Sequence, residues 1–147
     1  MLTPEVFEQG SLFGPAQPTS SPAEQLAEVT RAARDFRACP RWEIGTQTAF
    51  GSGPATARLM FIGGAPGQHE DKQGISFVGP GGQLFDQALL QAGLDRAEVY
   101  VTNIIKHRPW AEQNGCRKNR PPKQSEINTC RPSLREQLRI ISPKMIV

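Results

Sequence analysis

The stretch from Arg58 to Gly82 most constrains the fold of this chain, because it places an apolar run directly before a glycine-rich loop. Leu59-Met60-Phe61-Ile62 has the length and composition of a buried strand. The segment Gly63–Gly67 suits neither a strand nor a helix interior, because it combines glycine with proline. A strand that ends in such a loop is the usual ligand site of an open α/β sheet. A tight strand-to-helix connection is the alternative interpretation.

A helix is predicted ahead of this strand, over residues 22–37. Ser21 is expected to be its N-cap, Pro22 occupies the first helical position and Glu24 completes a capping box. Apolar residues at helical spacing give this helix one face to bury. We expect it to end near Cys39-Pro40, with a loop-like segment from there to the strand.

A second helix is predicted from Gly82 to Gly93, and a second strand, rich in β-branched residues, from Glu98 to Ile105. Together with the first strand they form a right-handed βαβ unit, and hence a parallel sheet. The helix residues expected to face inward are Leu84, Phe85, Ala88 and Leu89.

The segment Pro109–Pro122 is predicted to be a loop. Ser125 is expected to cap a third helix, which Pro132 should kink or divide and which Ser142-Pro143 ends. A third strand begins at Lys144–Val147, where the chain stops, so the predicted sheet is truncated with an open edge. The residues expected on the inner face of the third helix are Ile127, Leu134, Leu138 and Ile141.

One domain is predicted over residues 21–147, because a chain of 147 residues can form a single core. Residues 1–20 are rich in Pro, Ser, Gly and Gln, and we expect a flexible lead-in there. The sequence has no apolar run of membrane-spanning length, and its N-terminus lacks the pattern of a secretory signal. These features predict a cytoplasmic protein, and we expect a monomer.

Positive charge is concentrated between Lys106 and Arg139, where nine basic residues face three acidic ones. A basic stretch with a loop rich in Asn, Pro and Gly is typical of phosphate contacts. The alternative is a solvated loop and helix face. The residues that we select as candidate DNA contacts are Lys106, Arg117, Lys118 and Arg120.

Three widely spaced cysteines, Cys39, Cys116 and Cys130, do not form a disulfide framework. Their odd number and the predicted cytoplasmic location both argue against one. Buried free thiols and ligands of a metal or cluster are the two interpretations that the sequence leaves open.

The chain resembles the family-4-type uracil-DNA glycosylases in ordered motifs that cover roughly residues 24–147. The motifs are Gly63-x-Ala65-Pro66-Gly67-x-x-Glu70-Asp71, Gly74-x-x-Phe77-Val78-Gly79, Val99-Tyr100-Val101-Thr102-Asn103 with Lys106, Asn119-Arg120-x-Pro122 with Glu126, Cys130-Arg131-Pro132 with Leu134, and Ile141-x-Pro143-Lys144. The resemblance implies a three-layer α/β sandwich around a parallel sheet. It also implies base excision repair, in which uracil is flipped out of DNA and its N-glycosidic bond to deoxyribose is hydrolysed.

The resemblance also implies roles for individual residues. Phe77 matches the ring that stacks on uracil, and Asn103 matches the amide that reads the polar edge of the base with a donor and an acceptor. Glu70 matches the family's loop acid, which could orient or activate water, with Asp71 as its support. The residues expected to line the uracil pocket from the loop are Gly63, Gly64, Ala65 and Gly67.

This sequence departs from the family at a second acidic position of the loop, which Gly64 occupies here, and at the ligands of its cluster. Gly64 stands where the family usually has a glutamate. The family commonly holds a [4Fe-4S] cluster on four cysteines, and Cys39 and Cys130 match two of them. His107 stands at a third ligand position, where an imidazole can replace a thiolate. Trp42 occupies the remaining position and cannot ligate iron, so a complete cluster and unligated thiols both stay open.

The sequence therefore predicts a uracil-DNA glycosylase that acts on uracil-containing DNA, present as an N-terminal portion or a shortened variant. The chain ends before the part of the family that carries a histidine loop expected to stabilise the departing uracil. A catalytically weak or inactive relative that binds nucleic acid is the main alternative. A module that binds small nucleotides or phosphate through the glycine loop is the third.

Overall fold

The computed structural model describes residues 20–35 and 47–147 of the chain. The predictions for residues 1–19, for Cys39 and for Trp42 lie outside the described residues. In chain order the elements are α1 (Pro22–Arg34), β1 (Leu59–Gly63), α2 (Gln68–Gln73), α3 (Pro80–Gln91), a 3-10 turn (Arg96–Glu98), β2 (Tyr100–Asn103), β3 (Trp110–Gln113), β4 (Cys116–Asn119), α4 (Gln124–Ile141) and β5 (Met145–Ile146).

The main sheet has three parallel strands in the order β2-β1-β5. The predicted βαβ unit is confirmed, and the predicted third strand pairs with the free side of β1. The register places Gly63 opposite Asn103. Because both residues end their strands, the glycine loop and the Asn103 side chain come together at the carboxyl edge of the sheet.

Helices flank this sheet, as the predicted α/β sandwich requires. Met60 and Tyr100 point to one face, where they pack with residues of α1 and α4. Phe61 and Val101 point to the other face, where they pack against Phe85 of α3. This alternation follows from the two-residue period of a strand. No helix of residues 20–35 and 47–147 has both the length and the apolarity to cross a membrane.

Helix α1 begins as predicted, with a capping box in which the Ser21 hydroxyl and the Glu24 carboxylate each accept from the other residue's backbone N–H. It ends at Arg34, with Asp35 as its C-cap, three residues before the predicted end.

Helix α3 begins at Pro80, two residues before the predicted start, and the positive φ of Gly93 follows its end. Its inward stripe consists of the buried Gly82 and Leu89 and the half-buried Phe85, which lie at the i, i+7 and i+3 positions of one helical face. The prediction that Leu84 and Ala88 face inward is wrong. Leu84 is 68% exposed, because its position is one residue away from this stripe.

The segment predicted to be a loop between Pro109 and Pro122 instead contains an antiparallel hairpin of β3 and β4. Asn114 and Gly115 form its two-residue turn, with φ angles of 52° and 71°. Positive φ at both central positions is the pattern of a type I′ turn, for which Asn-Gly is a strong sequence signal. Flanking residues that are polar rather than alternating in hydrophobicity concealed that signal.

Helix α4 starts at Gln124, so Ser125 is not its cap. The Glu126 carboxylate accepts a hydrogen bond of 2.8 Å from the backbone N–H of Lys123, the N-cap residue. The helix continues through Pro132, which does not divide it. Of the four residues predicted on its inner face, Ile141 is buried and the other three are half-buried.

A buried polar network lies between α4 and the main sheet. Gln137 is fully buried, and its amide donates to the Phe50 carbonyl at 2.8 Å and the Tyr100 hydroxyl at 3.0 Å. The oxygen of the same amide accepts from Lys106 Nζ at 2.7 Å and from the Thr102 hydroxyl at 3.2 Å. Gln137 therefore joins α4 to β2 through Tyr100 and Thr102, and to the neighbouring segments through Phe50 and Lys106.

The substitution Gln137→Leu tests this network. It keeps the approximate volume but leaves two buried donors and two buried acceptors without this partner, so we expect the free energy of unfolding to fall by about 2–4 kcal/mol. Gln124→Leu, at an exposed position of the same helix, should change it by less than about 0.5 kcal/mol. Urea denaturation of the two variants measures both values. Equal effects would contradict the role of Gln137.

Candidate functional site

A cavity of about 490 Å³ opens at the carboxyl edge of the main sheet. It brings together segments that are far apart in sequence: the glycine loop, the start of α2, the segment from Phe77 to α3, the end of β2 and the end of β4. The lining residues predicted from the sequence are Ala65, Gly67, Glu70, Phe77 and Asn103. The ligand site predicted from the sequence lies at this same edge of the sheet.

Gly63 lies behind the cavity, where Phe77 and Asn103 approach each other. A Cβ atom on Gly63 would overlap Asn103 Oδ1 and the edge of the Phe77 ring. Only glycine therefore allows the ring and the amide to occupy neighbouring positions in the cavity wall.

Phe77 has an unusual backbone conformation, with a φ of 59°. Left-handed backbone is uncommon for a bulky residue and costs about 1–3 kcal/mol, so it is found mainly where the surroundings enforce it. Gly82 contacts this backbone so closely that a Cβ on Gly82 would overlap the Phe77 carbonyl. The Phe77 ring lies 5.2 Å from the Phe85 ring, which fixes its direction from behind.

Glu70 joins the two loops that form the cavity. Its Oε2 accepts from the backbone N–H of Gly67 at 3.0 Å, and its Oε1 accepts from those of Val78 at 3.0 Å and Gly79 at 2.7 Å. Desolvation by burial alone would raise the pKa of this carboxyl. The backbone hydrogen bonds, that of Gly79 foremost, outweigh it and lower the pKa below its ordinary value of 4.5.

The remaining predicted residues of the loop lie outside the cavity lining. Gly64 is exposed, and no described atom lies within 4 Å of where its Cβ would be. Asp71 is buried in α2 and borders a separate recess of about 430 Å³, together with Lys72, Arg108 and Arg117. The structure therefore places Glu70 at the cavity and Asp71 behind it.

Asn103 is 3% exposed, and its side chain lines the cavity from the end of β2. Its backbone carbonyl accepts a hydrogen bond of 2.6 Å from Lys106 Nζ. The strand end that carries the amide is thereby attached to the buried polar network beneath it.

The selection of Lys106 as a DNA contact is wrong. Lys106 is 2% exposed, and its ammonium donates to Thr102 Oγ1, the Asn103 carbonyl and Gln137 Oε1 at 2.6–2.7 Å. Burial lowers the pKa of Lys106 to about 7, although the Cys130 thiol acts in the opposite direction. Three internal acceptors match the three N–H groups of an ammonium, so this side chain stabilises the fold beneath the site.

The other candidate DNA contacts lie on or after the hairpin. Arg117 and Lys118 are exposed on β4, and the Arg117 guanidinium lies 4.2 Å from the centre of the Trp110 ring. Arg120 forms two hydrogen bonds with the Glu126 carboxylate, at 2.6 Å and 3.0 Å. Arg120 therefore anchors the start of α4, which leaves Arg117 and Lys118 as exposed charges.

Asn119, which ends β4, is a cavity residue that sequence reasoning named only as part of a motif. Its Oδ1 accepts a hydrogen bond of 2.7 Å from Nε of the buried Arg108. The hairpin brings Asn119 to the cavity by pairing it with Trp110. The only local signal was the Asn114-Gly115 turn, which fixes that pairing.

The candidate cluster ligands are only partly described. His107 is 4% exposed, its Nε2 lies 2.9 Å from the Thr48 hydroxyl, and its Nδ1 has no hydrogen-bond partner among the described residues. Cys130 is buried against Ile105, and Cys39 lies outside the described residues. Within residues 20–35 and 47–147, no three His, Cys, Asp or Glu residues form a group that could hold a metal. The described residues therefore do not assemble a cluster site.

The fold is that of a known class. The sequence profile of the Uracil DNA glycosylase superfamily matches residues 50–147, and the chain belongs to that superfamily.

Within it, the chain is similar to type-4 uracil-DNA glycosylases. The protein of Sulfurisphaera tokodaii is 38% identical over 84% of this chain and 54% of its own length. Those of Saccharolobus solfataricus and Thermotoga maritima are 34% and 36% identical over 84% of this chain, and 55% and 62% of their own lengths. The chain thus spans little more than half the length of these curated relatives.

Gly81 and Gly82, adjacent in α3, provide a matched pair that tests the packing of Phe77. Gly82→Ala forces the Phe77 backbone to move, so we expect a loss of about 1–3 kcal/mol in the free energy of unfolding. Gly81→Ala meets no described atom within 4 Å, and should stabilise the helix by up to about 1 kcal/mol. Chemical denaturation measures both. Opposite signs are expected, and two stabilised variants would contradict the close contact.

Glu70→Gln tests the carboxylate that joins the loops. At pH 7 the variant should lose about 1–3 kcal/mol of unfolding free energy, because an amide cannot accept from all three N–H groups without turning a donor toward one of them. The native pKa is lowered, so the carboxylate's contribution is present above pH 4.5 and is lost as the pH falls through the native pKa.

The wild type and the variant should therefore converge in stability as the pH falls below 4.5. Urea denaturation at several pH values between about 3 and 7 measures this difference, because that range includes the ordinary pKa values of carboxyl groups. Glu28→Gln, at an exposed position of α1, serves as the control. A difference that is constant over the whole range would show that the charge of Glu70 is not what holds the loops.

Proposed function

We propose that the chain functions as a uracil-DNA glycosylase, which hydrolyses the N-glycosidic bond of deoxyuridine in DNA. The observation that carries this proposal is the meeting of the Phe77 ring and the Asn103 amide at Gly63, inside a cavity of about 490 Å³. An aromatic face and an amide side by side are what a pocket needs to hold a flipped pyrimidine.

In this proposal uracil leaves the base stack, stacks on Phe77 and is read by Asn103. An amide offers a donor and an acceptor, which complement the carbonyl and the ring N–H of uracil. Cytosine reverses both polarities on that edge, so an amide that is held in this orientation rejects it. Of the four predicted loop residues, Ala65 and Gly67 line the cavity, and they supply a backbone without large side chains, along which the base can lie close to the loop.

Glu70 is our candidate for orienting the attacking water, with Asp71 in a supporting position. Oε1 of Glu70 accepts two backbone hydrogen bonds, whereas Oε2 accepts one. Oε2 therefore keeps acceptor capacity at the wall of the cavity, where a water molecule can donate to it. A lowered pKa keeps this carboxylate ionised at neutral pH, so it can also stabilise positive charge that develops on the sugar.

The proposed partner is uracil-containing DNA, and the hairpin of β3 and β4 is the proposed contact with its backbone. Arg117 and Lys118 are exposed beside the cavity, which Asn119 of the same strand lines. Cationic side chains next to a base pocket can hold the phosphates that flank a flipped nucleotide.

A relative that binds nucleic acid without catalysis is the second candidate. One observation favours it: Gly64 stands where the family that the sequence resembles usually has a carboxylate. Such a protein would use the hairpin charges and the pocket without breaking the glycosidic bond.

Uracil excision from single-stranded and duplex oligonucleotides tests the proposed function. We expect the wild-type chain to release uracil, and Asn103→Ala to lower the rate by at least about a hundredfold, because the base then loses its polar contacts in the transition state. Phe77→Ala should lower it as well, by removing the stacking surface. Asn128→Ala, at an exposed position of α4, should leave the rate unchanged.

Excision that persists in Asn103→Ala and Phe77→Ala would contradict the proposal. No release by a folded wild-type chain that binds DNA would favour the second candidate instead. That binding should weaken steeply with salt and fall in Arg117→Ala and Lys118→Ala.

A further inference from the structure

Asn119 is a second amide in the cavity, on the wall that the hairpin contributes. It ends β4, where it pairs with Trp110, and it lines the same cavity as Phe77 and Asn103. The glycine loop lies beside it: a Cβ on Gly67 would be 3.6 Å from Asn119 Nδ2.

Arg108 fixes the orientation of this amide. Arg108 is 6% exposed, its Nε donates to Asn119 Oδ1 at 2.7 Å, and its Nη2 donates to the Arg117 carbonyl at 3.1 Å. A guanidinium has donors only, so the side of the amide that faces Arg108 must be the oxygen. The Nδ2 group is thereby turned away from Arg108 and toward the glycine loop.

The Asn103 amide is held differently. Within the described part of the chain, no hydrogen bond joins its side chain to another residue, although its backbone carbonyl is fixed by Lys106. An amide that is not held can turn over and present its donor and acceptor in either order. Asn103 alone therefore does not decide which polarity of base edge the cavity accepts, whereas the Asn119 amide has one fixed polarity.

We propose that Asn119, oriented by Arg108, is a second base-contacting residue, which donates an Nδ2–H hydrogen bond to a carbonyl oxygen of the bound uracil. This inference rests on the proposed uracil pocket and adds a specificity-determining residue to it. A carbonyl oxygen accepts this hydrogen bond, whereas an amino group at the same place would put donor against donor. Arg108 acts through Asn119 and is a positioning residue.

Substitutions at Asn119 separate this role from a merely structural one. Asn119→Asp keeps the shape and keeps an oxygen for Arg108, but replaces the donor with a second acceptor. Asn119→Ala removes the donor and also removes the partner of Arg108. If Asn119 only supported Arg108, Asn119→Asp would lower the affinity for uracil less than Asn119→Ala does. If the Nδ2 group of Asn119 contacts the base, Asn119→Asp lowers the affinity more than Asn119→Ala does.

The experiment measures binding of free uracil to the full chain by isothermal titration calorimetry, with thermal unfolding of each variant alongside. Relative to the wild type, we expect a several-fold loss of affinity in Asn119→Ala and a loss of at least about tenfold in Asn119→Asp, where two acceptors face each other. Asn128→Asp makes the same change on the exposed surface of α4, and it should bind uracil as the wild type does.

Each outcome decides a separate point. Wild-type affinity in Asn119→Asp would overturn the inference and leave the proposed function standing, because uracil would still bind. Weaker binding in Asn119→Ala than in Asn119→Asp would assign Asn119 a structural role and overturn the inference as well. A wild-type chain that is folded but binds no uracil would overturn both the pocket and this residue's part in it.

Discussion

The hydrogen bonds of the Glu70 carboxylate hold together the two loops on which the cavity depends. One loop follows β1 and contains Gly67, and the other precedes α3 and contains Val78 and Gly79. A hydrogen bond to a charged group contributes about 1.5–3 kcal/mol. Three of them exceed the cost of about 1–3 kcal/mol for the left-handed backbone of Phe77, which the second loop carries. The strained ring position is therefore stable because Glu70 fixes the backbone directly after it.

The opposite wall of the cavity is fixed from beneath. Lys106 joins the Asn103 carbonyl to Thr102 and to Gln137 of α4, so the end of β2 is attached to a helix on the far side of the sheet. Burying an ammonium is unfavourable unless acceptors surround it. The chain supplies three, and the position of Asn103 is thereby coupled to the packing of α4 rather than to its own strand alone.

Local patterns in the sequence were sufficient to predict the sheet and the edge at which the site forms. The apolar run before the glycine loop and the β-branched run ending at Asn103 each predict a strand, and parallel strands bring their ends together. The burial of Lys106 could not be predicted, because one of its three acceptors, Gln137, comes from the distant helix α4 and a lysine alone indicates a surface. Asn119 was missed for a related reason: it reaches the cavity only through the hairpin, whose strands are polar and almost wholly exposed.

The basic stretch between Lys106 and Arg139 shows that clustered positive charge in a sequence does not by itself predict phosphate contacts. Lys106, Arg108 and Arg120 lie within the segment that suggested phosphate contacts. Each of them instead donates hydrogen bonds to groups of the same chain. They hold Asn103, Asn119 and the start of α4 in place. Part of the positive charge of this segment therefore stabilises the walls of the cavity, whereas Arg117 and Lys118 are exposed on β4. Any DNA bound at the cavity would therefore meet fewer cations than the sequence contains, and the buried Arg108 helps to position them through its hydrogen bond to the Arg117 carbonyl.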